Sequence, residues 1–210
     1  ISFLCIPSWR FGHYDLEAGG FAALTTWLDD YERASGQVVP RESFEWWMIF
    51  NILWWGVTCL RLGSTYRDGS VPSVERTVIG RRVSEVEVDL LLALGKKRDR
   101  AEDTLGVPPA VIEPELPLAG DITYPEMAGA LENWNRTDVL ADASGHTVFA
   151  ARVANNALGI VRRALLLGPD YATRQSDRLG ALGYSGDALC AALRDDFTLC
   201  HDDGCWNHLR

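Results

Sequence analysis

The stretch from Phe44 to Leu62 constrains the fold more than any other part of the chain. No charge falls between Glu45 and Arg61, and Trp, Phe, Met, Ile, Leu and Val crowd the interval. At about 100° per residue these side chains run nearly all the way round a helix. Only Asn51 and Thr58, seven residues apart, share a narrow polar line. A helix apolar on almost every side belongs at the centre of a helical domain or in a membrane. The uncharged run of 15 residues, Trp46 to Leu60, is short of the ~20 that span a bilayer, and it contains helix-weakening Gly56. The reading is a buried core helix. A membrane segment and an exposed partner-binding helix are the alternatives.

Such a core helix needs others around it, and the chain supplies them. Phe21, Leu24, Trp27, Leu28 and Tyr31 recur at three and four, predicting an amphipathic helix from Phe21 to Ala34, stopped at Ser35-Gly36. Ser73 is placed to cap a helix over Val74 to Leu94, ended by Gly95. Its core stripe would be Ile79, Val83, Val86, Leu90 and Leu94, and Arg81 would pair with Glu85 at i,i+4. From Lys96 to Thr123 the periodicity lapses around Pro108, Pro109, Pro114 and Pro117, which reads as an interdomain linker. A second unit, 124–210, then holds a short helix from Pro125 to Trp134 and a polar connection from Asp138 to Gly145. Its amphipathic helix His146 to Leu167 is expected to end at Gly168-Pro169. On that helix Phe149, Val153, Asn156, Ile160 and Ala164 form one stripe. Helices over Asp170 to Leu182 and Ser185 to Phe197 follow, and nothing alternates with period two. The chain reads as all-α in two units.

A net charge of −9 argues against a phosphate-backbone binder. Five scattered cysteines make no disulfide framework, so a reducing cytoplasm is the expected compartment. Neither a signal peptide nor a membrane span is read, so no membrane partner is expected. The start at Ile1, in what reads as mid-helix, suggests a fragment.

Four blocks of the first unit come in the order and spacing of one family. They are Trp9-Arg10-Phe11-Gly12, Tyr31-Glu32-Arg33-Ala34-Ser35-Gly36, Trp54-Trp55-Gly56-Val57-Thr58-Cys59-Leu60 and the run from Ile79 to Leu91. Residues 1–95 resemble the C-terminal helices of aminoglycoside-phosphotransferase-like kinases, in the branch linked to acyl-CoA dehydrogenases. The resemblance implies phosphorylation of a hydroxylated acceptor, a hydroxyacyl-CoA, with ATP and Mg²⁺ in the complete kinase. Phe149 to Leu158 and the closing Trp206-Asn207-His208-Leu209-Arg210 are similar to a small helical bacterial domain encoded beside such kinases, which implies an accessory domain.

The family's phosphate-binding Lys, catalytic-loop Asp and metal-holding Asp have no counterpart in this chain, and positioning plus metal electrostatics carry that chemistry. No cofactor is therefore expected on the chain itself, and the partner implied is an upstream kinase segment, in cis or in trans. The family's helical lobe shapes the acceptor cleft, which makes Trp9 and Arg10 candidates for contacting an acyl-CoA. Arg81, Arg82 and Glu85 are either an ion-pair scaffold or cleft lining. Arg152 and Asn156, four apart, are either packing devices or ligand contacts. Cys200, Cys205 and His208 have no standard zinc spacing; a zinc site, a Cys200–Cys205 disulfide and unrelated residues all stay open. The competing function is a non-enzymatic helical interaction module, with self-association into a homo-oligomer as its mark.

Overall fold

The computed structural model describes residues 1–95, 110–112 and 122–209. Among these no strand occurs, only an isolated bridge between Ala18 and Ala22, and the architecture is all-α. Two compact units divide the chain, Ile1–Ala101 and Glu102–Arg210. Apart from 110–112, 122 and 123, the expected linker lies outside the described residues. No helix among the described residues is long and apolar enough to cross a membrane.

Unit 1 opens with two 3-10 turns, Ser2–Cys5 and Pro7–Trp9, and continues into helix α1, Leu24–Ser35. Gly36 closes α1 in the left-handed region at φ 69° and donates its N–H to the Glu32 carbonyl, a role that suits a residue without a Cβ. Pro40 precedes helix α2, Arg41–Arg67, and its fixed φ suits a helix entry. Leu28 of α1 and Phe44 of α2 pack with Cys5 and Ala18, while Ile52 packs with Ile6 and Val86.

The expectation that α2 is buried all round is overturned. Phe44, Ile52, Gly56 and Cys59 are buried, but Trp46, Leu53, Val57 and Leu60 are each more than half exposed. Within unit 1 the 3-10 turns and the two helices that follow all pack on the same side of α2, so among the described residues of that unit its other side has no layer over it. Helix α2 is instead buried along one face and exposed along the other.

The helix expected over Val74 to Leu94 is two: α3, Val74–Arg81, and α4, Val83–Gly95. Ser73 caps α3 as its position suggested, accepting the Arg76 N–H at 3.3 Å. The break has a packing cause. Gly80 of α3 crosses Gly63 of α2 so closely that a Cβ on Gly80 would lie 2.8 Å from the Gly63 Cα. Val86 of α4 meanwhile sits against Gly56. A turn at Arg82 lets both halves reach α2. Val86 is buried, but Leu94, expected in the core stripe, is 38% exposed. The turn also re-pairs the charges: Glu85 takes Arg82, Nε to Oε2 at 3.0 Å, while Arg81 bonds the Ser84 hydroxyl.

Unit 2 begins with α5, Tyr124–Trp134, fixed by a reciprocal cap in which Thr123 and Glu126 satisfy each other's backbone N–H. The expected polar connection is instead helical, a π turn at Asn135–Val139 running into α6, Leu140–Asp142. Helix α7 spans His146–Leu182 without stopping at Gly168-Pro169. Pro169 removes one backbone donor, but neighbouring groups reinforce the helix around it. Ile112 N–H donates to the Leu166 carbonyl at 3.2 Å, Ala110 N–H to Asp170 at 3.1 Å, and Arg174 pairs with Asp170 at 2.7 Å.

The face of α7 that packs is also not the one expected. Its buried residues are Ala151 and Gly159, whereas Phe149 and Asn156 are exposed. Small residues mark the contact because α5 approaches closely there, bringing Gly129 and Glu132 against α7. Helix α8, Gly186–Asp195, a 3-10 turn at Phe197–His201 and α9, Asp203–Leu209, complete the unit.

Candidate functional site

Unit 1 gathers residues from two stretches about seventy positions apart. Arg10 follows the second 3-10 turn, and its Nη2 donates to the Cys5 carbonyl at 3.2 Å and Nη1 to the Tyr14 carbonyl at 3.3 Å. Gly20 presses against its backbone: a Cβ there would lie 2.5 Å from the Arg10 carbonyl oxygen, and φ is +74°. Only glycine fits that position, so the loop holds Arg10 in place. From the other side Arg82 reaches the Ser8 carbonyl at 3.4 Å while pairing with Glu85. Trp9 packs on Trp55 with ring centroids 4.9 Å apart and edge-on to Phe3 at 5.4 Å.

Asp89, one helical turn beyond Glu85, completes the cluster. Burial first, and then the Glu85 carboxylate, push its pKa up to about 6 against the opposing pull of Arg10 and Arg82. The neighbouring Cys59 thiol is also raised, again chiefly by burial. The indole N–H groups of Trp9 and Trp55 and the Nε of Arg10 are buried without a hydrogen-bond partner among the described residues. Buried donors of this kind cost stability unless something accepts from them. Two guanidiniums and two carboxylates nearly balance in charge, so the cluster suits a hydroxyl- or carbonyl-bearing ligand better than a bare phosphate. Its Asp89, titrating near neutrality, can take up or release a proton.

Four of the residues singled out from sequence thus lie together: Trp9, Arg10, Arg82 and Glu85. Arg81 is not with them; it is exposed and bonds Ser84. Arg152 and Asn156 belong to unit 2, where both are exposed on α7. The buried amide of that unit is Asn135, whose Nδ2 donates to the Ala151 carbonyl at 2.9 Å.

Sequence reasoning missed Asp89 and Trp55, and it missed the conformation of Phe11. Phe11 is 76% exposed with φ +48°, a left-handed backbone that a bulky residue adopts only under constraint, and its ring lies 6.3 Å from that of Trp9. The i,i+4 spacing of Glu85 and Asp89 was the available signal for the carboxylate pair. A separate open cleft of about 500 Å³ in unit 1 is lined by Tyr31, Gln37, Val39, Phe44, Trp47 and Asn51. Of its two amides, Asn51 is already engaged, donating to the Ser2 hydroxyl at 2.9 Å.

In unit 2, Cys205 is buried, its N–H donates to Asp202 at 2.8 Å, and burial is the main cause that raises its thiol pKa. Burial first, then Arg178, lowers the His208 pKa. The five cysteines form no disulfide, so the Cys200–Cys205 alternative falls. Among the described residues no group of three or more His, Cys, Asp or Glu could hold a metal ion.

The two units make an all-α protein, and the charged cluster is a polar, aromatic-edged candidate site in its first half. A family model described as a domain of unknown function (DUF6285) matches residues 141–210, a stretch similar to that family and lying within unit 2. No curated protein and no solved structure matches the chain.

Proposed function

We propose that this chain is the acceptor-side helical part of an ATP-dependent phosphotransferase for a small hydroxylated substrate, a hydroxyacyl-CoA by the family resemblance, with unit 2 as its accessory domain. The observation that supports this reading is the gathering of Arg10, Arg82 and Glu85 around Asp89, with Trp9 packed on Trp55 and with buried donors that find no acceptor among the described residues. In this reading Arg10, held by the Cys5 and Tyr14 carbonyls, and the two indoles orient the acceptor. In the same reading Asp89 accepts a hydrogen bond from the acceptor hydroxyl. A kinase segment, in cis or in trans, supplies the groups for ATP and Mg²⁺.

Isothermal titration of a hydroxyacyl-CoA into the full chain tests the assignment. Arg10→Gln and Arg82→Gln should each weaken binding about ten-fold, the scale of one charge-assisted hydrogen bond, with the helical circular-dichroism signal unchanged. Unaltered affinity in both variants, or no binding by the unsubstituted chain at millimolar ligand, overturns it. The second reading, a helical interaction module, is favoured by the open apolar side of α2.

A further inference from the structure

The turn that follows Trp9 carries a residue ill suited to its shape. His13 N–H donates to the Arg10 carbonyl at 2.9 Å, and the two residues between them, Phe11 and Gly12, have φ of +48° and +91°. Positive φ at both central positions is the pattern of a type I′ turn, where Asn, Asp and Gly are favoured. Gly12 fits that pattern. Phe11 does not, and among the described residues it is the one non-glycine residue with positive φ. Its ring is also 76% exposed. A lone exposed aromatic side chain needs no explanation, but this one adds a conformational cost to a solvation cost.

The fold gains little from the ring in return. Other groups hold the turn: the His13 to Arg10 bond closes it, Arg10 Nη1 donates to the Tyr14 carbonyl at 3.3 Å, and Gly20 packs against the Arg10 carbonyl. Among the described residues the ring's one aromatic neighbour is Trp9, tilted by 51° with centroids 6.3 Å apart. Trp9 and Arg10 are also the residues whose indole N–H and Nε are buried with no acceptor among the described residues. A ligand taken up by these two therefore lies within reach of Phe11. A residue that the local backbone disfavours, kept beside such donors, points to function rather than to folding.

We propose that Phe11 is a specificity-determining residue of the acceptor site, its ring covering the apolar chain of a bound hydroxyacyl group beside Trp9. The inference rests on the acceptor-side reading and deepens it by naming the substrate class: a hydroxyacyl thioester with an extended apolar chain beyond its hydroxyl. The guanidiniums and carboxylates of the cluster serve the polar end of such a ligand and give its methylenes no apolar cover. The Phe11 ring supplies that cover, and its own exposed face leaves water at the same time.

The test is isothermal titration of 3-hydroxybutanoyl-CoA and 3-hydroxyoctanoyl-CoA, which differ only in the length of the apolar chain, into the full chain. The longer thioester should bind about fifteen-fold more tightly, the worth of roughly two buried methylenes. Phe11→Asn installs a residue that the turn favours; it should abolish the preference and raise the Tm. Phe11→Leu, which keeps an apolar side chain, should retain part of the preference. Equal affinities in the unsubstituted chain, a preference that Phe11→Asn leaves intact, or a lower Tm in Phe11→Asn overturns the proposal. Binding that Arg10→Gln weakens but chain length does not affect removes the role of Phe11 and leaves the acceptor-side reading standing. Binding of neither thioester removes both.

Discussion

Substituting Gly63 by Ala probes the contact on which unit 1 is assembled. In an open helix the change would stabilise by about 1 kcal/mol, because Gly is the poorer helix former. Here the new Cβ would lie 2.9 Å from the Gly80 Cα, and both partners are backbone, so no side chain can rotate away. Relief to an ordinary carbon contact of about 3.5–4 Å means parting α2 and α3 by roughly 0.6–1 Å. Overpacking of this kind costs about 1–3 kcal/mol, and parting the helices also loosens Val86 from Gly56. The net loss is about 1–2 kcal/mol, or a fall in Tm of about 5–15 °C for a unit of this size. Tryptophan fluorescence during thermal unfolding is the suitable readout, since Trp9, Trp27, Trp46, Trp47, Trp54 and Trp55 all lie in unit 1. Gly180→Ala in α7 is the control: nothing lies within 4 Å of its Cβ position, and it should stabilise unit 2 by up to about 1 kcal/mol. A Gly63→Ala chain as stable as the original would refute the close crossing.

The remaining predictions concern Asp89 and Asn135. Folding raises the Asp89 pKa from 3.8 to about 6, so the folded state holds the proton more tightly than the unfolded chain. Its contribution to stability is therefore whole below pH about 3.8 and is lost as pH rises through about 6. The Tm difference between Asp89→Asn and the unsubstituted chain should consequently shift in favour of the variant across that window; a difference independent of pH would contradict the burial of Asp89. Asn135→Ala removes a buried hydrogen bond to the Ala151 carbonyl and should cost about 1–2 kcal/mol, measured by urea unfolding. A loss below a few tenths would contradict its role in joining the π turn to α7.

Helix type and helix stops with strong local chemistry were legible from the residues alone. Gly36, Ser73 and Gly183 act through their own backbone or side chain within one turn, and each does what its identity suggests. What failed depended on neighbours. The apolar surround of α2 implied burial, but composition does not say how many layers a unit holds, and unit 1 covers one side. Pro169 read as a stop because the backbone N–H groups of Ala110 and Ile112 that reinforce α7 there come from outside the helix. The α3–α4 break follows from Gly80 meeting Gly63, a contact between helices that periodicity along one helix does not contain. On α7 the large residues suggested the wrong face, since close helix approach selects Ala151 and Gly159.

The candidate site divides in the same way. Trp9 and Arg10 stood out by resemblance, whereas the choice of Arg82 over Arg81 is made by the turn between α3 and α4. Asp89 gained significance only when folding buried it beside Glu85, Arg10 and Arg82. The apolar open face of α2 was visible as an uncharged run, but which of its sides is exposed was not.

The most direct test of the acceptor-side reading is phosphoryl transfer from ATP and Mg²⁺ to a hydroxyacyl-CoA, assayed with the chain alone and with an added kinase segment carrying the phosphate-handling residues. The account predicts no turnover by the chain alone and turnover in the mixture, reduced by Arg10→Gln. Robust turnover by residues 1–210 alone would contradict it.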